Sequence, residues 1–114
     1  MIQEIMGKSG AYIIDFQDVS GSGWANLIEK IIKEKIKPEK IDKRDIEVSW
    51  DYSEYEFDIE KDNVKFILHI DDDVSPYFSL RKENITEESK NKLRDWATIV
   101  AKEVEKQRKK GMRL

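Results

Sequence analysis

Apolar residues in this chain follow two periods, and the boundaries between them predict its elements. AYIIDFQ (11–17) is a short run rich in β-branched and aromatic residues, with Ile13 and Ile14 pointing to opposite faces; it predicts an interior strand. DVSGSG (18–23) supplies turn chemistry, with Ser22 a candidate helix cap. In WANLIEKIIKEKIK (24–37), Trp24, Leu27, Ile28, Ile31, Ile32 and Ile36 recur at three- and four-residue steps and form one stripe, while Lys30, Lys33, Glu34 and Lys37 face water. Pro38 ends this helix, because the residue before a proline resists helical angles.

Residues 39–44 read as a polar connector, after which the period changes to two. Ile46, Val48 and Trp50 alternate with Glu47 and Ser49, the pattern of a half-buried strand. The apolar parity slips between Trp50 and Tyr55, which a turn or a bulge at 51–53 explains; a tight turn starting a new strand at Glu54 is expected. That strand, EYEFDIE (54–60), places Tyr55, Phe57 and Ile59 on one side and Glu54, Glu56, Asp58 and Glu60 on the other.

A two-residue turn at Asp62 and Asn63 would oppose Glu60 to Lys65, Ile59 to Phe66, Asp58 to Ile67, Phe57 to Leu68 and Glu56 to His69, leaving one face wholly apolar. For the following hairpin the same test favours a turn at Asp71, Asp72 and Asp73, pairing Ile70 with Val74, Leu68 with Pro76, Phe66 with Phe78 and Val64 with Leu80. Pro76 cannot donate to a ladder, so it belongs on an edge strand or at a non-bonded position. A long helix from Thr86 to Lys109 follows, capped by Asn84 or Thr86, with Leu93, Trp96, Ala97, Val100 and Val104 as its buried stripe. The basic end, 105–114, reads as frayed. The expected architecture is a single α+β domain over 1–114: strand, helix, four-stranded antiparallel meander, helix, with both helices on one face of the sheet.

Charge changes this picture in one respect. The net charge of the 114-residue chain is only −3, yet the signs separate along it: residues 42–73 hold twelve Asp/Glu against four Lys/Arg, and residues 87–114 hold nine Lys/Arg against five Asp/Glu. Such asymmetry bears on partners rather than on fold. Cysteine is absent, which excludes disulfides and thiolate chemistry and suits a reducing compartment. No stretch has the length of a signal-peptide core or a membrane span, so a cytoplasmic protein with no membrane partner is expected.

With the helices on the apolar face, the opposite face would carry Glu54, Glu56, Asp58 and Glu60, then Lys65, Ile67 and His69, then Ser75, Tyr77 and Ser79. Ile67 and Tyr77 would be directly opposed there, an apolar pair beside a row of acids. An aromatic flanked by charge is the anatomy of a protein interface. The expected partner-binding residues are therefore Glu54, Glu56, Asp58, Glu60, Ile67, His69 and Tyr77. The carboxylates have a plainer reading as the wet side of an amphipathic strand.

Other strings carry less. HIDDD (69–73) invites a metal reading but lacks EF-hand spacing, and consecutive residues on a hairpin splay apart; a solvated turn is expected, with no metal. His69, the single histidine, faces Glu56, a partner that favours its protonated form, but no nucleophile accompanies it, so no catalytic residue and no cofactor are assigned. GSG (21–23) lacks the remainder of a phosphate-loop motif. The basic end, including Lys109 and Lys110, suits a helix C-terminus, and the acidic sheet would repel nucleic acid.

In overall character the chain resembles small bacterial immunity proteins, which bind and block a cognate toxin. IIDFQDVSGSGWANLIEKI (13–31) is similar to the first strand and helix of the barstar family of ribonuclease inhibitors. That family continues with further helices and parallel strands, whereas this chain turns into a meander. The resemblance implies a non-enzymatic inhibitor that neutralises a basic, nuclease-type toxin. The pattern itself leaves open an adaptor that self-associates through its sheet, a small enzyme, or a nucleic-acid binder.

Overall fold

The computed structural model describes residues 2–17, 19 and 24–109. They form an antiparallel six-stranded sheet in the order β1-β2-β6-β5-β4-β3, with two helical segments on one face. The strands are β1 (Ile2–Met6), β2 (Tyr12–Phe16), β3 (Lys40–Val48), β4 (Ser53–Lys61), β5 (Val64–Asp71) and β6 (Tyr77–Leu80). Helix α1 is Ala25–Ile31, continued by a π-helical turn over Ile32–Ile36, and α2 is Glu87–Lys109. The α+β class and the antiparallel meander β3-β4-β5-β6 match the sequence pattern, and β2 lies inside the sheet, between β1 and β6. Among the described residues no helix is long and apolar enough to cross a membrane.

The core lies between the sheet and the helices. Tyr12, Ile14 and Phe16 of β2, Phe57 and Ile59 of β4, Phe66, Leu68 and Ile70 of β5, and Phe78 and Leu80 of β6 are buried together with Ile28 and Ile32 of the first helical segment. The whole stripe read from α2, Leu93, Trp96, Ala97, Val100 and Val104, is buried there too. Phe78 is the hub: Phe16 and Phe66 each meet it edge-on with centroids 5.1 Å apart, and Trp96 stacks on Phe66 at 5.5 Å.

Chain reversals follow local chemistry. Asp62 and Asn63 both adopt positive φ, 50° and 65°, the signature of a type I′ hairpin turn, and all five pairs expected across this hairpin are present. The π turn closes with the Lys37 amide donating to the Ile32 carbonyl at 3.0 Å, and Lys37 then turns left-handed at φ 56° just before Pro38. Thr86 is the cap of α2: its hydroxyl accepts from the Ser89 amide at 2.9 Å while the Ser89 hydroxyl accepts from the Thr86 amide at 2.8 Å. Asn84 contributes only a carbonyl, which accepts from the Ser89 hydroxyl.

Several expectations are corrected. β1, which the apolar pattern does not predict, pairs with β2 through a turn at 7–10 in which Gly10 takes φ 86°. Its apolar residues, at 2, 5 and 6, do not alternate, because only Ile2 packs against the core. The supposed connector 39–44 is mostly strand: β3 begins at Lys40 and is held by its ladder to β4 rather than by an apolar face. Ile46, Val48 and Trp50 are not half-buried but 46%, 66% and 96% exposed. The parity slip arises from a bulge between Asp45 and Glu47 together with a turn at 49–52, where the Ser49 amide donates to the Tyr52 carbonyl at 2.9 Å.

The β5-β6 register is displaced by two residues, with Leu68 opposite Phe78 and His69 opposite Tyr77. A two-residue shift preserves the faces, so the apolar pattern alone could not detect it. Pro76 falls just before β6, buried, with its carbonyl accepting from the Phe16 amide. α2 remains helical through Lys109, past the start of the expected fray; Ser22, the GSG segment, Lys110 and the remainder of the tail lie outside the described residues.

Candidate functional site

The open face of the sheet can be read as rows running across the strands from their registers. One row is Ile5, Ile13, Ser79, Ile67, Asp58 and Asp42; the next is Gln3, Asp15, Tyr77, His69, Glu56 and Arg44. Beyond them, Asp71, Glu54 and Glu47 stand side by side with no basic residue in the row. Ile67 therefore meets Ser79 rather than Tyr77, and Tyr77 stacks on His69, with centroids 4.7 Å apart and planes 16° from parallel. The expected Ile67–Tyr77 pair is corrected. The apolar row Ile5, Ile13 and Ile67 and the aromatic Tyr77 still share this face. Ser75 is outside the strands and donates its hydroxyl to Asp15 at 2.6 Å.

The acidic side of β4 is more internally compensated than its sequence implies. Arg44, delivered by the strand that reads as a connector, donates to Glu56 at 2.8 Å and to Asp58 at 3.2 Å. Glu60 lies between Lys40 and Lys65 across the two neighbouring strands. Exposed pairs of this kind contribute little stability, but they reduce the charge that Glu56, Asp58 and Glu60 present to a partner.

His69 is the densest point of chemistry. Only 6% of its surface is exposed, yet Nδ1 lies 2.8 Å from Glu56 Oε2, and Nε2 lies 2.7 Å from Asp71 Oδ2 and 3.6 Å from Glu54 Oε2. Carboxylates only accept, so each ring nitrogen of His69 faces an oxygen that can offer it no hydrogen. Asp71 is equally buried and is held firmly: its Oδ1 accepts from the Asp73 amide at 2.7 Å and the Val74 amide at 2.9 Å. Burial pushes this carboxyl up, but the His69 hydrogen bond and the two amides outweigh burial and leave it below its ordinary value. Tyr77 beside it is raised, first by burial and then by the charges of Glu56 and Asp71.

HIDDD is thus not a uniformly solvated turn, because Asp71 points inward while Asp72 and Asp73 are exposed. The sequence places His69 opposite Glu56, a pairing that the hairpin register makes legible. Asp71 and Glu54 could not be assigned to the same cluster, since their meeting depends on β5 continuing through Asp71. Glu54, His69 and Asp71 offer ligand atoms within 4.8 Å of one another, a donor set that could hold a metal ion.

The edge hairpin is the other feature that the pattern obscured. Trp50 stands at its tip, and residues 45–60 contain seven Asp/Glu and no Lys or Arg. Comparisons with protein-family models, curated proteins and solved structures return no match for this chain.

Proposed function

We propose that this chain is a non-enzymatic binding protein of the immunity type, which neutralises a basic toxin domain, of the nuclease class, by docking its acidic hairpin and the adjoining open sheet face. The observation that carries the reading is Trp50, 96% exposed at the tip of a hairpin whose residues 45–60 contain seven Asp/Glu and no Lys or Arg. A solvated indole gains most when it enters a pocket on a partner, and tryptophan is among the commonest hot-spot residues. The surrounding carboxylates would steer a cationic partner and fix its orientation. Glu47 and Glu54, directly opposed where the hairpin joins the open face, repel each other in the free protein and favour docking of positive charge. The resemblance to immunity proteins supports the same class.

The test is affinity capture from native lysate at low and high salt, with the identified partner then purified and its binding kinetics measured. The variant to compare is Glu47→Lys with Asp51→Lys, because neither side chain pairs with Arg44 or His69. It should slow association severalfold and flatten the salt dependence, while Trp50→Ser and Tyr77→Ala should mainly raise the dissociation rate. Unchanged rates in all of these variants would remove the hairpin and the open face from consideration. The rival reading is an adaptor that self-associates by strand pairing, since β3 is an open edge of the sheet. Its charges and its bulge blunt that edge, so sedimentation should show a monomer.

A further inference from the structure

His69 stands where an imidazole and two carboxylates converge from two strands, and its surroundings match those of a metal ligand more closely than those of an ordinary ion pair. Nδ1 is occupied by Glu56 on the far side of the ring, which fixes the ring's orientation and aims Nε2 at Asp71 and Glu54. A carboxylate on the second nitrogen is the usual support of a metal-binding histidine. Asp71 is pinned through Oδ1 by two backbone amides, so that Oδ2 alone faces the ring. The row formed by Asp71, Glu54 and Glu47 contains no base, and Arg44 in the adjoining row is engaged by Glu56 and Asp58. One imidazole ring set among the carboxylates of Glu54, Glu56 and Asp71 leaves this corner of the sheet with excess negative charge. A dication in place of the Nε2 proton would reduce that excess.

We infer that Glu54, His69 and Asp71 form a binding site for a divalent first-row transition metal ion of the zinc class, with Glu56 as the residue that orients His69. The donor set favours that class: imidazole nitrogen suits zinc and its neighbours, whereas calcium and magnesium prefer all-oxygen sites. The geometry requires little change. Ligand atoms about 2.1 Å from one ion lie no more than about 4.2 Å apart. The atoms here already lie within 4.8 Å of one another, and Glu54 is the least buried of the three. Binding moves the Nε2 proton to solvent and forms a nitrogen–metal bond in its place. Three protein ligands leave a coordination position for water or for a group from a partner.

The experiment uses the full chain after treatment with a chelator, titrated with zinc chloride by calorimetry, with calcium chloride as the selectivity control. Because His69 is the single histidine, its ring nitrogens can be read directly by NMR in the same titration. The expected result is one zinc per chain, loss of the Nε2 proton signal, and little response to calcium. Glu54→Gln and Asp71→Asn should each weaken binding more than tenfold, and Glu56→Gln about tenfold. Glu54 is partly exposed, so its variant should keep the fold, as checked by circular dichroism. Absence of saturable zinc binding, or zinc binding that leaves the Nε2 proton in place and is indifferent to Glu54→Gln, overturns the inference. The readout needs no protein partner, so it stands or falls separately from the proposed inhibitor function.

Discussion

Asp71 shows how much one side chain can hold together. It accepts from two amides of the β5-β6 connection and also faces His69, so it joins a loop to the open face. Removing it leaves a buried imidazole short of a partner and two amides unpaired. Asp71→Ala, unfolded in urea with chelator present, should cost about 3 kcal/mol, as expected for leaving several buried polar groups unpaired. Tyr12 offers a second test at this scale. It is buried against α2, donates its hydroxyl to Glu4, and its phenol is pushed up to about 12, first by burial and then by that carboxylate. A raised folded value means that stability is fully present below pH 10 and is lost as pH rises from 10 through about 12. Tyrosine absorbance should therefore show a titration near pH 12 that Tyr12→Phe abolishes.

Among the elements, the first helical segment is closed at its C-terminus by Lys37, and α2 is capped at its N-terminus by Thr86. Lys37 takes left-handed angles, which cost a non-glycine residue roughly 1 kcal/mol. Lys37→Gly should raise the melting temperature by a few degrees, with the gain limited by the extra freedom glycine brings to the unfolded chain. Thr86→Ala removes the reciprocal cap of α2 and should cost about 1 kcal/mol in denaturant titration. The strand edges follow the same logic. β1 is tied to α2 by Arg94, which donates to Glu4 at 2.9 Å; this hydrogen bond holds the Glu4 carboxyl below its usual range. That link is present above about pH 4.5 and is lost as pH falls through the depressed folded value. Both side chains are well exposed, so its contribution is small.

For the whole molecule, the distribution of charge matters more than its sum. A net charge of −3 gives little long-range field, but Asp71, Glu54 and Glu47 stand side by side with no base in their row, and Asp51 follows in the adjoining turn, which concentrates negative charge on one corner. Association with a basic partner should therefore depend steeply on salt, and reversing Glu47 and Asp51 should remove more of that dependence than reversing Glu56 and Asp58, which already share Arg44.

By itself the sequence determined which residues turn inward. Period two over 54–60 and 64–70 and the stripe from Leu93 to Val104 specify faces, and the Asp62–Asn63 turn specifies a register, because both are local properties of a chain that must bury one side. It left β1, most of β3 and the β5-β6 register unread. Edge strands owe their conformation to backbone pairing with a neighbour, which leaves little pattern in side chains, and a two-residue slip exchanges one apolar pair for another. Tertiary structure alone brought Arg44 to Glu56, set Tyr77 on His69, gathered Glu54 and Asp71 about one imidazole, and left Trp50 in water. Each of these depends on which strand lies beside which, and that choice is made by the packing of the whole sheet.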